Sequence, residues 1–338
     1  MQKKDIGLAV LVLVVGAVVA MINPRFLSPI NLANTANLIG LFGLFSLAEA
    51  FVIVTAGIEL SVGSVIALLG VIFVDLIVTQ NVPWPLAAMI VLMLGAVFGL
   101  LHGWLITKLG LQPFIVTLCG LLIYRGIARF YTKDGTAGFS FGDEFPVLEW
   151  LVSGRTGGVP HSIIAFSIIA VIAWFVLHRT VFGRHLYAVG KNAEAARYTG
   201  INTQRVIVLA YVICAVLTGL AAIFFAMYTR SIHPASHGNF YELYAIAAAV
   251  LGGFSLRGGE GSIFGVVLGV VLLQMLQNLV NLLGIPSSLN FAVMGSVILI
   301  GVIADTQIAK HRKARQKANE LSRIAWPKLK TESETEGA

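Results

Sequence analysis

The sequence predicts an all-α, polytopic membrane helix bundle, and three observations carry that prediction. Hydrophobic residues make up 57% of the 338-residue chain and charged residues only 12%. The mean hydropathy is +0.88, and long apolar runs recur down the chain. Soluble globular domains do not reach these values. A run of about 20 apolar residues crosses ~30 Å of hydrocarbon as a helix, and the runs here are too long and too uniformly apolar for barrel strands.

About ten spans are expected, over residues 6–22, 33–56, 61–78, 86–106, 113–131, 160–178, 206–229, 242–256, 262–283 and 289–308. The first follows Lys3 and Lys4 and has Ala20 at a cleavage-like position, in the manner of a signal peptide. Its 17 residues exceed a usual signal core, so an uncleaved first helix is expected. The eighth is short and runs into glycines.

With ten spans, Lys3, Lys4, Lys108, Arg179, Arg184, Lys191, Arg197, Arg205, Arg257 and the run Lys310 to Lys317 all fall on one side, which is then the cytoplasm. The loop 132–159 holds Asp134, Asp143, Glu144 and Glu149 against Lys133 and Arg155, as expected for the periplasmic face. An even number of spans places both termini inside. The net charge of +7 thus reflects topology and not nucleic-acid binding. Residues 1–309 are expected to form the transmembrane domain, with a cytoplasmic loop at 179–205. Residues 310–338 form a basic cytoplasmic tail suited to anionic headgroups, polar and partly disordered towards its end. Cys119 and Cys214 lie inside spans, so no disulfide framework is implied.

Two glycine ladders mark packing faces: Gly95, Gly99 and Gly103 in the fourth span, and Gly261, Gly265 and Gly269 at the ninth. Each is followed by a Leu-Gly-hydrophobe turn near proline, at Leu109–Pro113 and Leu283–Pro286. A separation of five helices reverses one ladder relative to the other and points to an inverted five-plus-five repeat. Two breaks interrupt the apolar pattern. One is Ala56-Gly-Ile-Glu-Leu-Ser-Val-Gly-Ser64, where Gly57 and Gly63 loosen the helix and Ser61 or Ser64 is placed to cap the next; the other runs from Gly252 and Gly253 through Ser255 to Gly261. Tight connecting turns and transporter hinges both read this way.

Among acidic residues near spans, Glu49 is deep, whereas Glu59, Asp75, Glu242 and Asp305 sit near expected ends within reach of water. The loop from Arg230 to Asn239 is expected at the outer surface, with His233 and His237 in a turn and not as metal ligands. No zinc pattern, nucleophile elbow or phosphate loop is present; Gly183 to Asn192 has the wrong glycine spacing and lacks a hydroxyl after Lys191. The chain is therefore expected to be a non-enzyme, with neither metal nor cofactor of its own. Trp84, Trp104, Trp150, Trp174 and Tyr228 read as interface anchors.

The stretch Gly183 to Ile201 is a basic island between spans. Asn192 is placed to cap a short helix carrying Glu194, Ala195, Ala196 and Arg197, with Gly200 to end it. A solvated connector and a helix docked in a partner's groove both fit these residues.

Four blocks together resemble the permease subunits of ribose-type ATP-binding-cassette importers, relatives of branched-chain amino-acid permeases, over residues 30–306. They are Gly57 to Ser64; Gln112-Pro-Phe-Ile-Val-Thr-Leu118 with Arg125-Gly-Ile-Ala128; Gly183 to Ile201; and Glu242 to Gly253 leading to Ser255 through Gly261. Glu59 stands where such permeases usually have aspartate, Lys191 where glycine is common, and Phe254 where a small polar residue is usual.

The resemblance implies a subunit that imports a monosaccharide by alternating access. It pairs with a second permease copy or paralogue, a cytoplasmic cassette ATPase that binds ATP and magnesium, and a periplasmic sugar-binding protein, in the bacterial inner membrane. It casts Asn192, Glu194, Ala195, Ala196, Arg197 and Gly200 as the coupling helix. Translocation or hinge candidates are Gly57, Glu59, Ser61, Gly63, Ser64, Thr117, Glu242, Gly252, Gly253, Ser255 and Asn278. A sugar path needs hydroxyls and amides, for which Asn37, Ser46, Thr55, Gln274 and Gln277 are further candidates; each equally suits an interhelical hydrogen bond. The alternative is an ion-gradient-driven secondary transporter or channel, which would need deep, mutually close carboxylates. The sequence displays no such set.

Overall fold

The computed structural model describes residues 3–140 and 142–286, with five isolated positions between 289 and 299. Those up to Pro286 belong to one compact unit, Met1–Asn290. The expected tenth span, Asp305 and the tail 310–338 lie outside the described residues.

Local chemistry sets the helix starts. α1 (Lys3–Ile22) is apolar on nearly every face, and after a 3-10 turn at Pro24–Leu27 comes α2 (Pro29–Ile53), opened by Ser28 and by proline at its first position. α3 (Val62–Val74) runs into one π-helical turn, Asp75–Thr79. α4 (Trp84–Lys108) and α5 (Pro113–Thr132) follow, each with proline in its first turn. The loop after α5 carries α6 (Pro146–Ser153), and α7 is His161–Arg179. α8 (Val181–Lys191) and α9 (Ala193–Tyr198) precede α10 (Thr203–Thr229), which is capped by Asn202 at 3.0 Å from the Arg205 amide. α11 (Tyr241–Leu251) and α12 (Ile263–Leu282) complete the described bundle.

Among the described residues, eight helices are long and apolar enough to cross a membrane. The eighth expected span, 242–256, is corrected: α11 has 11 residues, about 16 Å of rise, half a bilayer core. Glycines at 252 and 253 end it early, the second at φ +88°. The chain nevertheless passes from one side to the other here. Ser231–Ile232 pair with Ala137–Gly138 in a two-stranded ribbon at one end of α10, while Gly259 lies against Gly190 at the other.

The core centres on α2, buried without interruption from Gly40 to Ile53. Its glycines admit α7: a Cβ at Gly40 would strike the Ser162 backbone, and one at Gly43 the Phe166 ring. The fourth-span ladder also works as expected. A Cβ at Gly95 would stand 2.7 Å from Ala215 O, one at Gly99 2.5 Å from Tyr211 O, and one at Gly103 2.7 Å from Val208 Cα. Gly99→Leu is expected to cost about 1–3 kcal/mol of overpacking. Met93→Ala, at a side chain 62% exposed, should leave thermal unfolding in detergent nearly unchanged.

The second ladder is only partly helical. Gly265 and Gly269 pack on Gly252 and Ala248 of α11, but Gly261 precedes α12 at φ +144° and receives the Phe254 ring. Phe254 is thus a packing residue. The two ladders play different parts; what recurs in both halves is the order long helix, inward break, short helix, at α2–α3 and at α10–α11.

The loop between α5 and α7 carries ion pairs, Arg129 to Asp134 and Arg230 to Glu149, each 2.5 Å. Hydrogen bonding from Arg129 holds the Asp134 carboxyl below its ordinary range.

Candidate functional site

The first break is a re-entrant turn and not a surface loop. α2 stops at Ile53, Ala56 adopts φ +63°, and the chain folds back so that the Glu59 amide donates to Glu49 Oε1 at 3.1 Å. Glu59 then organises the start of α3. Its Oε1 accepts from the Ser61 amide at 2.7 Å and from Ser61 Oγ at 2.6 Å, and its Oε2 meets His102 Nδ1 at 2.8 Å. Because the carboxylate accepts, Nδ1 donates; Nε2, 3.0 Å from the Tyr124 hydroxyl, accepts from it when the ring is neutral. Thr117 Oγ1 and Tyr211 OH both donate to Ile58 O, at 3.3 and 3.1 Å.

Two expectations need correction here. Ser61 occupies the cap position of α3 in a helical conformation and makes no side-chain cap bond; its hydroxyl turns to Glu59 instead. Ser64 lies within the helix, its buried hydroxyl unpartnered among the described residues. Glu59 and Glu242 do not reach water either: they are 5% and 7% exposed, and Glu49 is fully buried, its Oε2 unpartnered among the described residues. Deep carboxylates that are near one another in sequence only as 49, 59 and 242 are therefore brought together by the fold.

The loop from Arg230 to Asn239, expected at the surface, also folds inward. Arg125 donates to Pro234 O at 2.7 Å and to His237 O at 2.6 Å. Gly238, at φ +74°, presses backbone to backbone on Gly63, where neither residue has room for a Cβ. Glu242 accepts from the Gly63 amide while feeling the Arg125 charge. Its carboxylate therefore sits at the positive ends of both α3 and α11. The first break and the inward loop Arg230 to Asn239 meet at this point. A cavity beside Glu59, lined also by Ser61, His102 and Thr218, measures about 10 Å³, at the threshold for one water.

On the opposite side of the first break lies the basic island. It forms two helices, not one: α8 buries Gly183, Leu186, Val189 and Gly190 on one face, and α9 projects beyond it. Asn192 caps α9 as expected, accepting from the Ala195 amide at 2.9 Å, and Gly200 terminates it at φ +86°. Glu194, Ala195 and Arg197 are exposed while Ala196 is buried, and Tyr198 is 91% exposed.

Gly190 touches both breaks at once. Its missing side chain admits Val54 O and the Gly259 amide, which are themselves hydrogen-bonded at 2.8 Å. Lys191 reaches Glu260 at 2.5 Å, and Tyr187 donates to Gly261 O at 2.8 Å. Burial, and secondarily the Asp5 carboxylate, raise the Tyr187 phenol far above its ordinary value and keep it a donor. Ser255 tightens the second break, its amide donating to Glu260 O at 3.2 Å.

The fold thus gathers Gly57, Glu59, Ser61, Gly63, Ser64, Thr117 and Glu242 at one junction and Gly252, Gly253 and Ser255 at a second. Asn278 belongs to neither; it exchanges hydrogen bonds with Asn31 at 3.0 and 2.8 Å. Asn37, Ser46 and Thr55 also bond within the protein, whereas Gln274 and Gln277 have buried, unpartnered carbonyl oxygens. His102, Tyr124 and Tyr211 were not singled out in the sequence, and Gly190 and Gly238 were read only for glycine spacing and for a turn, not as close contacts. For His102 a signal existed, a lone imidazole on the glycine face of an apolar helix.

Apolar membrane-length helices around an inward break, with a buried polar network at its turn, define a multi-pass membrane transport protein. The family model described as "Branched-chain amino acid transport system / permease component" matches residues 31–302. The chain is 37% identical to the ribose import permease protein of Escherichia coli (strain K12), over 90% of this chain and 94% of that one. It is 39% identical to the ribose import permease protein of Bacillus subtilis (strain 168), over 90% and 93%. Identity to the D-allose transport system permease protein of Escherichia coli (strain K12) is 33%, over 88% and 90%. The chain belongs to this permease family. No solved structure matches it.

Proposed function

We propose that the chain is the membrane-spanning subunit of an ATP-binding-cassette importer that carries a monosaccharide of the pentose or hexose class inward. One observation carries the mechanism: Val54 to Ser61 is a single unbroken tether, held at one end by Gly190 and at the other by the Glu59–His102–Tyr124 chain. Displacement of α8 and α9 must therefore move the buried junction, because packed interiors shift between discrete arrangements instead of yielding smoothly. The ribose and allose permeases among its relatives support the sugar class.

In this reading α9, through Asn192, Glu194, Ala195, Ala196, Arg197 and Gly200, docks on a cytoplasmic cassette ATPase that holds ATP and magnesium. A second permease copy or paralogue completes the pore, and a periplasmic sugar-binding protein delivers substrate. The protein lies in the bacterial inner membrane with both termini cytoplasmic, and contributes no catalytic residue. ATP binding closes the ATPase pair, the docked helices move, and the meeting of Gly63 with Gly238 opens and closes the path. This coupling is a difference in contact free energy between two states.

Gly200→Val places a β-branched residue at φ +86°, and Glu194→Lys reverses the exposed charge of α9. Each is expected to cut co-purification of the cassette ATPase by about tenfold or more, ~1.4 kcal/mol. Unchanged association and uptake in both would refute the docking assignment. Stimulation of the assembled complex's ATPase by its binding protein across a sugar panel identifies the substrate; stimulation only by amino acids or nucleosides would overturn the sugar class.

The deep carboxylates Glu49, Glu59 and Glu242 favour a second reading, a carrier driven by an ion gradient. Uptake into vesicles that stops with a protonophore but ignores internal ATP would select it.

A further inference from the structure

A groove of about 820 Å³ lies on the outer surface of the bundle between α4 and the start of α10. Val97, Leu100, Leu101, Trp104, Val208 and Leu209 form its apolar wall, and Lys108 and Arg205 line it next to Thr107 and Gln204, which are joined by a 3.3 Å hydrogen bond from Gln204 Nε2 to Thr107 O. Among the described residues no carboxylate lines it and neither cation has an acidic partner. The Gly95, Gly99 and Gly103 face of α4 is spent on α10, so the groove walls are the faces left over.

Its dimensions and polarity match one leaflet. Eleven residues separate Val97 from Lys108, about 16 Å of helix rise, close to half of the ~30 Å hydrocarbon core. Trp104, 49% exposed and one turn from Lys108, sits where an aromatic ring meets headgroups. The charged end is the end of the bundle that carries α8 and α9. A second copy of the chain is a poor occupant, since a twofold contact would set each pair of cations against its own image.

We infer that this groove holds one anionic glycerophospholipid, its phosphate between Lys108 and Arg205 and an acyl chain along Val97, Leu101 and Leu209. Each cation near an anionic headgroup contributes about fivefold in affinity, so the pair gives a preference of about thirtyfold over a zwitterionic lipid.

Native mass spectrometry of the full-length chain in detergent tests this, titrating phosphatidylglycerol or phosphatidylcholine of identical acyl chains. The expected result is tighter phosphatidylglycerol binding by that factor, resistant to millimolar inorganic phosphate. The Lys108→Gln/Arg205→Gln double variant should lose the preference while keeping its unfolding midpoint, and Leu101→Trp, which fills the groove, should weaken both lipids. Equal binding of the two lipids, or retention of the preference in the double variant, overturns the inference. So does complete competition by inorganic phosphate, the mark of a free-anion site. Leu209→Cys cross-linking two chains in native membranes would assign the groove to a second copy and likewise overturn it.

Discussion

Replacing Glu59 with alanine is expected to cost about 3–5 kcal/mol of stability, the range for breaking a buried ionic contact by removing one partner, and to abolish uptake. The size follows from how many groups lose their partner together. Ser61 would be left with an amide and a hydroxyl that have no acceptor, and His102 with a buried Nδ1–H, while a void opens beside a cavity that now holds about 10 Å³. Ser61→Ala removes donor and demand together and should cost about 1 kcal/mol. Glu59→Gln retains one acceptor oxygen and should fall between. Thermal unfolding in detergent, with uptake in reconstituted vesicles, separates the three. If Glu59→Ala unfolds within a degree of the parent, the network is not what holds the first break.

The second large effect is expected at Gly190. Gly190→Val drives a branched side chain into Val54 O and the Gly259 amide, so the Val54–Gly259 hydrogen bond must open or α8 must lift. Overpacking of this kind costs about 1–3 kcal/mol, and its functional consequence should exceed its structural one. In the proposed docking the ATPase meets α9 beyond the Asn192 cap, a surface this variant does not alter. The variant should therefore retain the ATPase partner while uptake per ATP hydrolysed falls about tenfold or more, corresponding to ~1.4 kcal/mol of lost coupling. Loss of association in parallel with uptake would show that the damage spreads to α9 and that Gly190 is not specifically a coupling contact. Lys191→Ala offers a milder comparison: its bond to Glu260 is more than half exposed on both sides, and such pairs contribute about 0–1 kcal/mol.

Much of this site was legible in the sequence because it depends on local chemistry. The Asn192 cap and the Gly200 stop are readable from residue type and spacing, since capping satisfies backbone groups three residues away and a positive φ suits glycine. The break at Gly57 to Ser64 was likewise visible. What it did was not. That Glu59 leaves water depends on α2 and α3 folding back on each other, and on α4 supplying His102 from 43 positions away. The inward course of Arg230 to Asn239 escaped notice for a similar reason. A short polar loop between apolar runs looks the same whether it faces solvent or is held inside by Arg125.

The amino-acid sequence by itself determined that this is a helical membrane protein, where most helices begin and end, which faces pack closely through glycine, and where a capped polar helix leaves the bundle. These follow from hydropathy, helix caps and small-residue spacing, all of which act within a few turns of one segment. Only the tertiary structure decided that the first break meets the loop Arg230 to Asn239, that three carboxylates are buried near that meeting, and that Gly190 links α8 to both breaks. Those contacts join residues far apart in the chain, Gly63 with Gly238 and Val54 with Gly259 among them, and their energy comes from excluding water between particular surfaces, which no single segment encodes.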